Sequence, residues 1–246
     1  MSHRFPSFLI KPIAAIILFA SVTATAPAAR TSTLRPVTSK DFCVTLGALF
    51  DTTDQRVTVV DPQIRATLHR QTPQRIESHV RYWGPTSRLV PLGSGEIREQ
   101  FGFKMRAEDP CNLIYVMWRF KNPSDAGAPG QVVVQVKSNP GMHTSAECKN
   151  GGYRTIAPTQ HTDIPVPQEG DFHTLRASLS GSHLVVIVDN DADDPVWEGD
   201  LGAETTALNG PVGIRSDNVK LELKLFAPPP IDPAAPPLAC SAHGGD

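Results

Sequence analysis

Residues 132–137 read VVVQVK, and residues 138–153 read SNPGMHTSAECKNGGY. In the first segment Val132, Val134 and Val136 share one face and Val133, Gln135 and Lys137 share the other, the period of a half-buried strand. Asn139-Pro140-Gly141 then breaks the pattern and opens a polar loop carrying His143, Glu147, Cys148, Lys149, Asn150 and Tyr153. A β-strand that feeds a loop rich in hydrogen-bonding groups is a common address for function.

The flanking segments repeat the signal. Glu96–Met105 alternates, with Ile97, Phe101, Phe103 and Met105 on one face and Glu96, Arg98, Gln100 and Lys104 on the other. Leu113–Phe120 places Ile114, Val116, Trp118 and Phe120 opposite Leu113, Tyr115, Met117 and Arg119. Phe172–Leu179, Leu184–Asp189 and Val219–Phe226 follow the same rule. The 23 prolines and 18 glycines fall largely between such runs, and no stretch reads as a long helix. About ten or eleven short strands at fairly regular spacing predict an all-β, two-sheet antiparallel jelly-roll sandwich. Its single domain is placed at 42–226, with a Pro-rich C-terminal tail over 227–246 that cannot join a sheet interior.

The N-terminus reads differently. His3, Arg4 and Lys11 precede the apolar run Ile13–Val22, and Ala24-Thr25-Ala26 and Pro27-Ala28-Ala29 offer small-residue cleavage sites. A run of about ten apolar residues suits a signal peptide over 1–29 and falls short of the roughly 20 that a membrane span needs. A flexible leader is expected over 30–41, and the mature chain is expected outside the cell, or in the periplasm of a bacterium. Cys43, Cys111, Cys148 and Cys240 then imply two disulfides, with three possible pairings. Cys111 and Cys148 flank two consecutive strands and suit a Cys111–Cys148 staple, which leaves Cys43–Cys240 to tie the start of the domain to its tail. None has CxxC spacing, which argues against zinc. A formal net charge of -2 with no dominant basic patch argues against nucleic acid. Gly-x-Ser-x-Gly, His-Glu-x-x-His and P-loop patterns are all missing.

The polar faces of the central strands gather Glu96, Arg98, Gln100, Lys104, Tyr115, Arg119, Gln135 and Lys137. Sugar hydroxyls want side chains that donate and accept, ring faces want an aromatic platform, and acidic sugars add a need for Arg or Lys. We therefore expect an oligo- or polysaccharide on a concave sheet face, bound by a monomer. Lys137, His143 and Tyr153 supply the parts for an acid–base reaction on the same face, a polysaccharide lyase or a glycoside hydrolase. A structural or adhesion domain with no small ligand is the third expectation. Asp189, Asp191 and Asp193 in DNDADD superficially match a calcium loop, but its sixth position is Asp194 where an EF-hand has Gly. Trp83, beside Gly84-Pro85, is expected to be more exposed than Trp118, which belongs to the core.

The strings SHLVVIVDNDADDPVWEGDL and LNGPVGIRSDNVKLELKLF, from Ser182 to Phe226, resemble the last strands of concanavalin A-like (laminin G-like) jelly rolls. They are most similar to the secreted keto-disaccharide hydrolase domain type, in which a Gly-x-x-Gly-Ile-Arg-Ser segment leads into the closing strand. Here that segment is Gly210, Gly213, Ile214, Arg215 and Ser216. The resemblance implies the fold and a glycan-handling role. A second resemblance, to jelly-roll polysaccharide lyases, rests on Glu96 and Arg98 on one strand and Gln135 and Lys137 on another. The lyases' C-terminal tyrosine motif has no counterpart, because the tyrosines are Tyr82, Tyr115 and Tyr153.

Overall fold

Alternating sequence becomes alternating burial. In the computed structural model, which describes residues 33–121, 129–189 and 194–240, Val219–Ala227 buries every odd-numbered side chain fully and every even-numbered one in part. The expected signal peptide, most of the 122–130 loop, and Asp191 and Asp193 of the expected calcium loop lie outside the described residues.

The strands in chain order are β1 (Arg35–Val37), β2 (Phe42–Leu46), β3 (Phe50–Asp51), β4 (Val57–Val59), β5 (Gln63–Leu68), β6 (Arg75–Pro85), β7 (Glu99–Asp109) and β8 (Asn112–Lys121). They continue as β9 (Gln131–Lys137), β10 (Tyr153–Ile156), β11 (Gln160–His161), β12 (Phe172–Ser180), β13 (His183–Val188), β14 (Trp197–Asp200), β15 (Gly213–Asp217) and β16 (Val219–Ala227). One sheet runs β11-β14-β13-β12-β6-β16-β4-β3, with β1 also on β16, and the other runs β10-β9-β8-β7-β15-β5-β2. All the pairings are antiparallel. Consecutive strands β15 and β16 enter the middles of opposite sheets, so the chain's last turns close both layers. This is the two-sheet antiparallel jelly-roll sandwich that the alternation predicted.

The core lies between the sheets. Phe101, Phe103, Met105, Ile114, Val116, Trp118 and Phe120 from one layer meet Ile76, Val80, Tyr82, Leu175, Val186, Leu221 and Leu223 from the other. Edge-to-face contacts of Trp118 and Tyr82 on Phe120, at 5.0 and 5.2 Å, fix the aromatic centre. The Tyr82 hydroxyl donates to Glu99 at 2.9 Å, and burial together with that carboxylate raises the phenol's pKa.

Three expectations need correction. The domain begins before residue 42, because Arg35–Val37 of the expected leader pairs with Leu225–Ala227 and Val37 is buried. The strand expected from Glu96 begins at Glu99: Leu92 N–H bonds to the Glu96 carbonyl at 2.8 Å in a turn, which leaves Ile97 exposed. The Cys111–Cys148 bridge is formed, whereas Cys43 and Cys240 are both thiols.

Those two thiols nevertheless sit side by side. The tail that carries Cys240 is strapped over the β5 end by hydrogen bonds from Leu238 N–H to the His69 carbonyl, at 2.7 Å, and from Ile231 N–H to the Gln71 carbonyl, at 2.9 Å. Burial, then the hydrogen bond to Cys240, pushes the Cys43 thiol up to about 12, so exposed Cys240 is the nucleophile of the pair. Exposure to oxidised glutathione should take two protons and two electrons from the pair and close a Cys43–Cys240 disulfide. Non-reducing peptide mapping checks this, and a Cys240–glutathione adduct that never resolves onto Cys43 would refute it.

Candidate functional site

Because Phe101, Phe103 and Met105 point into the core, Gln100 and Lys104 of β7 point to the outer face of their sheet. By the same alternation β8 presents Leu113, Tyr115, Met117 and Arg119 there, and β9 presents Gln135 and Lys137. Register sets Gln135 beside Tyr115 and Tyr115 beside Lys104. On the far side, β15 brings Arg215 beside Gly102 and Asp217 beside Gln100, and β5 brings Arg65 beside Arg215.

One ion cluster organises this floor. Asp217, fully buried, accepts from Arg65 Nη2 at 2.6 Å, Arg215 Nε at 2.9 Å and Gln100 Nε2 at 2.6 Å. Burial alone would raise the carboxyl's pKa, but the Arg215 and Arg65 charges and the Gln100 amide outweigh it and bring it down to about 2. Arg215, held from below, lays its guanidinium 4.7 Å from the Tyr115 ring. Tyr115 is stacked in turn on Tyr153, with centroids 6.1 Å apart and planes 21° from parallel. Lys137 completes the chain, its Nζ 5.0 Å from the Tyr153 ring and donating to the Lys149 carbonyl at 3.0 Å.

Two loops wall the floor. The loop after β6 is pinned by buried Asn218, which accepts from Val90 N–H at 2.7 Å and donates to the Val90 and Arg98 carbonyls at 2.9 Å each. Asn218 sits in the left-handed region, with φ of 58°, which asparagine tolerates better than most residues. The loop after β9 contains a single helical turn, Ser145–Cys148, started by a Thr144–Glu147 capping box and tied by Cys148 to Cys111. Asn150 of this second loop donates to the Gly93 carbonyl of the first at 2.6 Å, bridging the groove. Beneath the bridge lie adjoining cavities of about 220 and 290 Å³, which share Leu92, Gly93, Asn150, Tyr153 and Arg215.

The expected site residues are therefore partly assembled. Arg98, Gln100, Tyr115, Gln135 and Tyr153 line the first cavity, and Lys137 lines the second. Glu96 contacts Arg98 from the rim, and Arg119, the register partner of Gln100, lines neither cavity. Burial, then the Arg98 charge, pushes the Arg119 guanidinium down to about 10. His143 is not brought in. Its Nδ1 bonds Asp109 at 2.8 Å, which raises its pKa, and it lines neither cavity. Gln100 is a support for Asp217 more than an exposed ligand group, being buried. The alternation Ile64-Arg65-Ala66 and Ile214-Arg215-Ser216 marked Arg65 and Arg215 as facing away from the core, but nothing local placed them beside β7. Among the described residues no cluster of three or more His, Cys, Asp or Glu could hold a metal ion, and no helix is long and apolar enough to cross a membrane.

No protein-family model matches the chain, and no curated protein is significantly similar to it. Among solved structures it is similar to the carbohydrate-binding module CBM66 from Bacillus subtilis, at 13% identity and a TM-score of 0.48, over 74% of this chain and 91% of that one. It is also similar to CG-16, a homodimeric agglutinin from chicken liver, at 14% identity and a TM-score of 0.37, over 69% and 98%. A β-1,3-glucanase from Mycobacterium marinum is similar at 14% identity and a TM-score of 0.37, over 73% and 66%.

Proposed function

We propose that this chain binds carbohydrate in the groove over Tyr115 and Tyr153, acting outside the cytoplasm. The observation that carries the reading is the exposed ring of Tyr153, backed by its stack on buried Tyr115 and flanked in one cavity by Arg98, Arg215, Gln135 and Asn150. An aromatic face for a ring, with guanidinium and amide groups around it for hydroxyls, is what a saccharide asks of a site. The adjoining cavities each lie just below the lower end of the roughly 300–1,000 Å³ range for small-molecule sites, so each is small and the two together form the groove. The Cys111–Cys148 bridge supports an oxidising compartment, in keeping with export directed by residues 1–29.

Within this reading, we take the likeness of Ser182–Phe226 to secreted keto-disaccharide hydrolase domains as the working family assignment. It contributes Arg215 to the groove. Hydrolysis needs two carboxyl groups across the scissile bond, and among the described residues lining the two cavities there is no Asp or Glu. Binding is therefore the reading we favour over turnover.

A glycan array probed with the mature protein tests it. Tyr153 is 38% exposed, so Tyr153→Ala should leave the fold intact while weakening a positive glycan about tenfold, the loss of stacking plus ring burial. Calorimetric Kd values with circular dichroism as the folding control measure this. Silence on every glycan, or unchanged affinity in Tyr153→Ala, would sink the proposal.

A further inference from the structure

We infer that the groove takes an acidic saccharide, with a uronate carboxylate held against the guanidiniums of Arg98 and Arg215. This rests on the carbohydrate reading above and names its ligand class. The whole chain has a formal net charge of -2. Yet the charged side chains lining the two cavities are Arg65, Arg98, Lys137, Lys149 and Arg215, all cationic. Two nearby carboxylates pair with three of these five cations, which leaves the cluster with a positive excess. Asp217 is buried beneath the floor and shared between Arg65 and Arg215, and Glu96 stands half-exposed at the rim beside Arg98. Opposite Gln100, Arg119 adds another guanidinium, whose Nε is buried with no hydrogen-bond partner among the described residues.

Like charges gathered this way repel one another, and low-dielectric walls focus their field into the cleft. A neutral sugar leaves that repulsion in place, while an anion relieves it. Arg65 and Lys137 are buried and Lys149 is exposed, whereas Arg98 and Arg215, at 20% and 12% side-chain exposure, are partly accessible and each is already oriented by a carboxylate. A guanidinium fork can meet both oxygens of a carboxylate at once, which a single hydroxyl does not offer. Nucleic acid fits less well. The overall negative charge repels a polyphosphate, and the Asn150–Gly93 bridge stands over the groove where a duplex would lie.

The test uses the mature chain and tetrasaccharides of galacturonate, glucuronate, mannuronate and guluronate, each beside the same oligomer with its carboxyls reduced to hydroxymethyl. Calorimetry at low ionic strength should give at least one acidic tetramer bound about tenfold or more tighter than its reduced partner, with the difference shrinking as salt is added. Arg98→Gln should bring the two affinities together by weakening the acidic ligand alone. Equal binding of acidic and reduced forms would overturn this inference and leave the carbohydrate reading standing. No binding of any glycan, reduced or acidic, would instead remove that reading. Tighter binding of a sulfated tetrasaccharide, or of single-stranded oligothymidylate, would overturn the uronate assignment.

Discussion

Asp217→Ala should lower the unfolding free energy by about 3–5 kcal/mol, the cost of removing the carboxylate that two largely buried guanidiniums face. Arg65 and Arg215 stay in place on β5 and β15 with 3% and 12% of their side chains exposed; Arg65 cannot reach bulk water without opening the sheet, and Arg215 touches it only through the cavities. For a domain of this size the melting temperature should fall by on the order of 10 °C. Urea unfolding at pH 7 checks the value. The triple variant Arg65→Met/Arg215→Met/Asp217→Leu separates charge from packing, because replacing a buried ion cluster by apolar side chains of similar volume is often nearly neutral. A triple variant as unstable as Asp217→Ala would show that hydrogen-bond geometry, rather than stranded charge, dominates.

The same carboxyl sets an acid limit. Its folded pKa of about 2 lies below its ordinary 3.8, so the folded state holds the charged form more tightly than the unfolded chain does. The stabilisation it contributes is complete above about pH 4 and is lost as the pH falls through about 2. The slope of stability against pH in that window should flatten in Asp217→Asn, which keeps the shape and cannot ionise.

What could be read in advance follows from sequence distance. β7, β8 and β9 are consecutive and pair as neighbours, so alternation alone puts Tyr115 beside Gln135 and Gln100 beside Arg119. The Cys111–Cys148 pairing was legible for the same reason, since both cysteines border that hairpin. Arg215 and Arg65 were not legible as site residues. Their strands reach the groove by pairings that join Arg215 to Gly102 and Arg65 to Arg215, across more than a hundred residues of chain. No local pattern encodes such register. Ile97 misled because its apolar side chain fitted the alternation of β7, while the turn closed by Leu92 and Glu96 holds it outside the sheet. His143 misled in another way: a loop histidine is chemically versatile, and a buried Asp109 at the hairpin end captures it.

Removing the Cys111–Cys148 bridge should cost about 3–4 kcal/mol, the loop-closure value for a sequence separation of 37. The larger consequence is for the groove. The bridge anchors the Ser145–Cys148 turn, and residues immediately after it supply the Lys149 carbonyl to Lys137 and the Asn150 amide to Gly93. Part of the loop's order survives without it, because Asn112 donates to the Met142 carbonyl at 2.8 Å and accepts from Asn139 N–H at 2.9 Å. Cys111→Ser/Cys148→Ser should therefore remain folded at moderate temperature, yet become susceptible to proteolysis between Met142 and Tyr153 and lose glycan affinity. Asn150→Ala isolates the second effect, since it cuts the bridge to Gly93 while the disulfide keeps the loop on the sheet. If the groove depends on its roof, Asn150→Ala weakens binding severalfold with an unchanged urea midpoint. If affinity follows the disulfide alone, Tyr153 and Arg215 bind without a roof, and the Asn150–Gly93 contact serves only to order the loops.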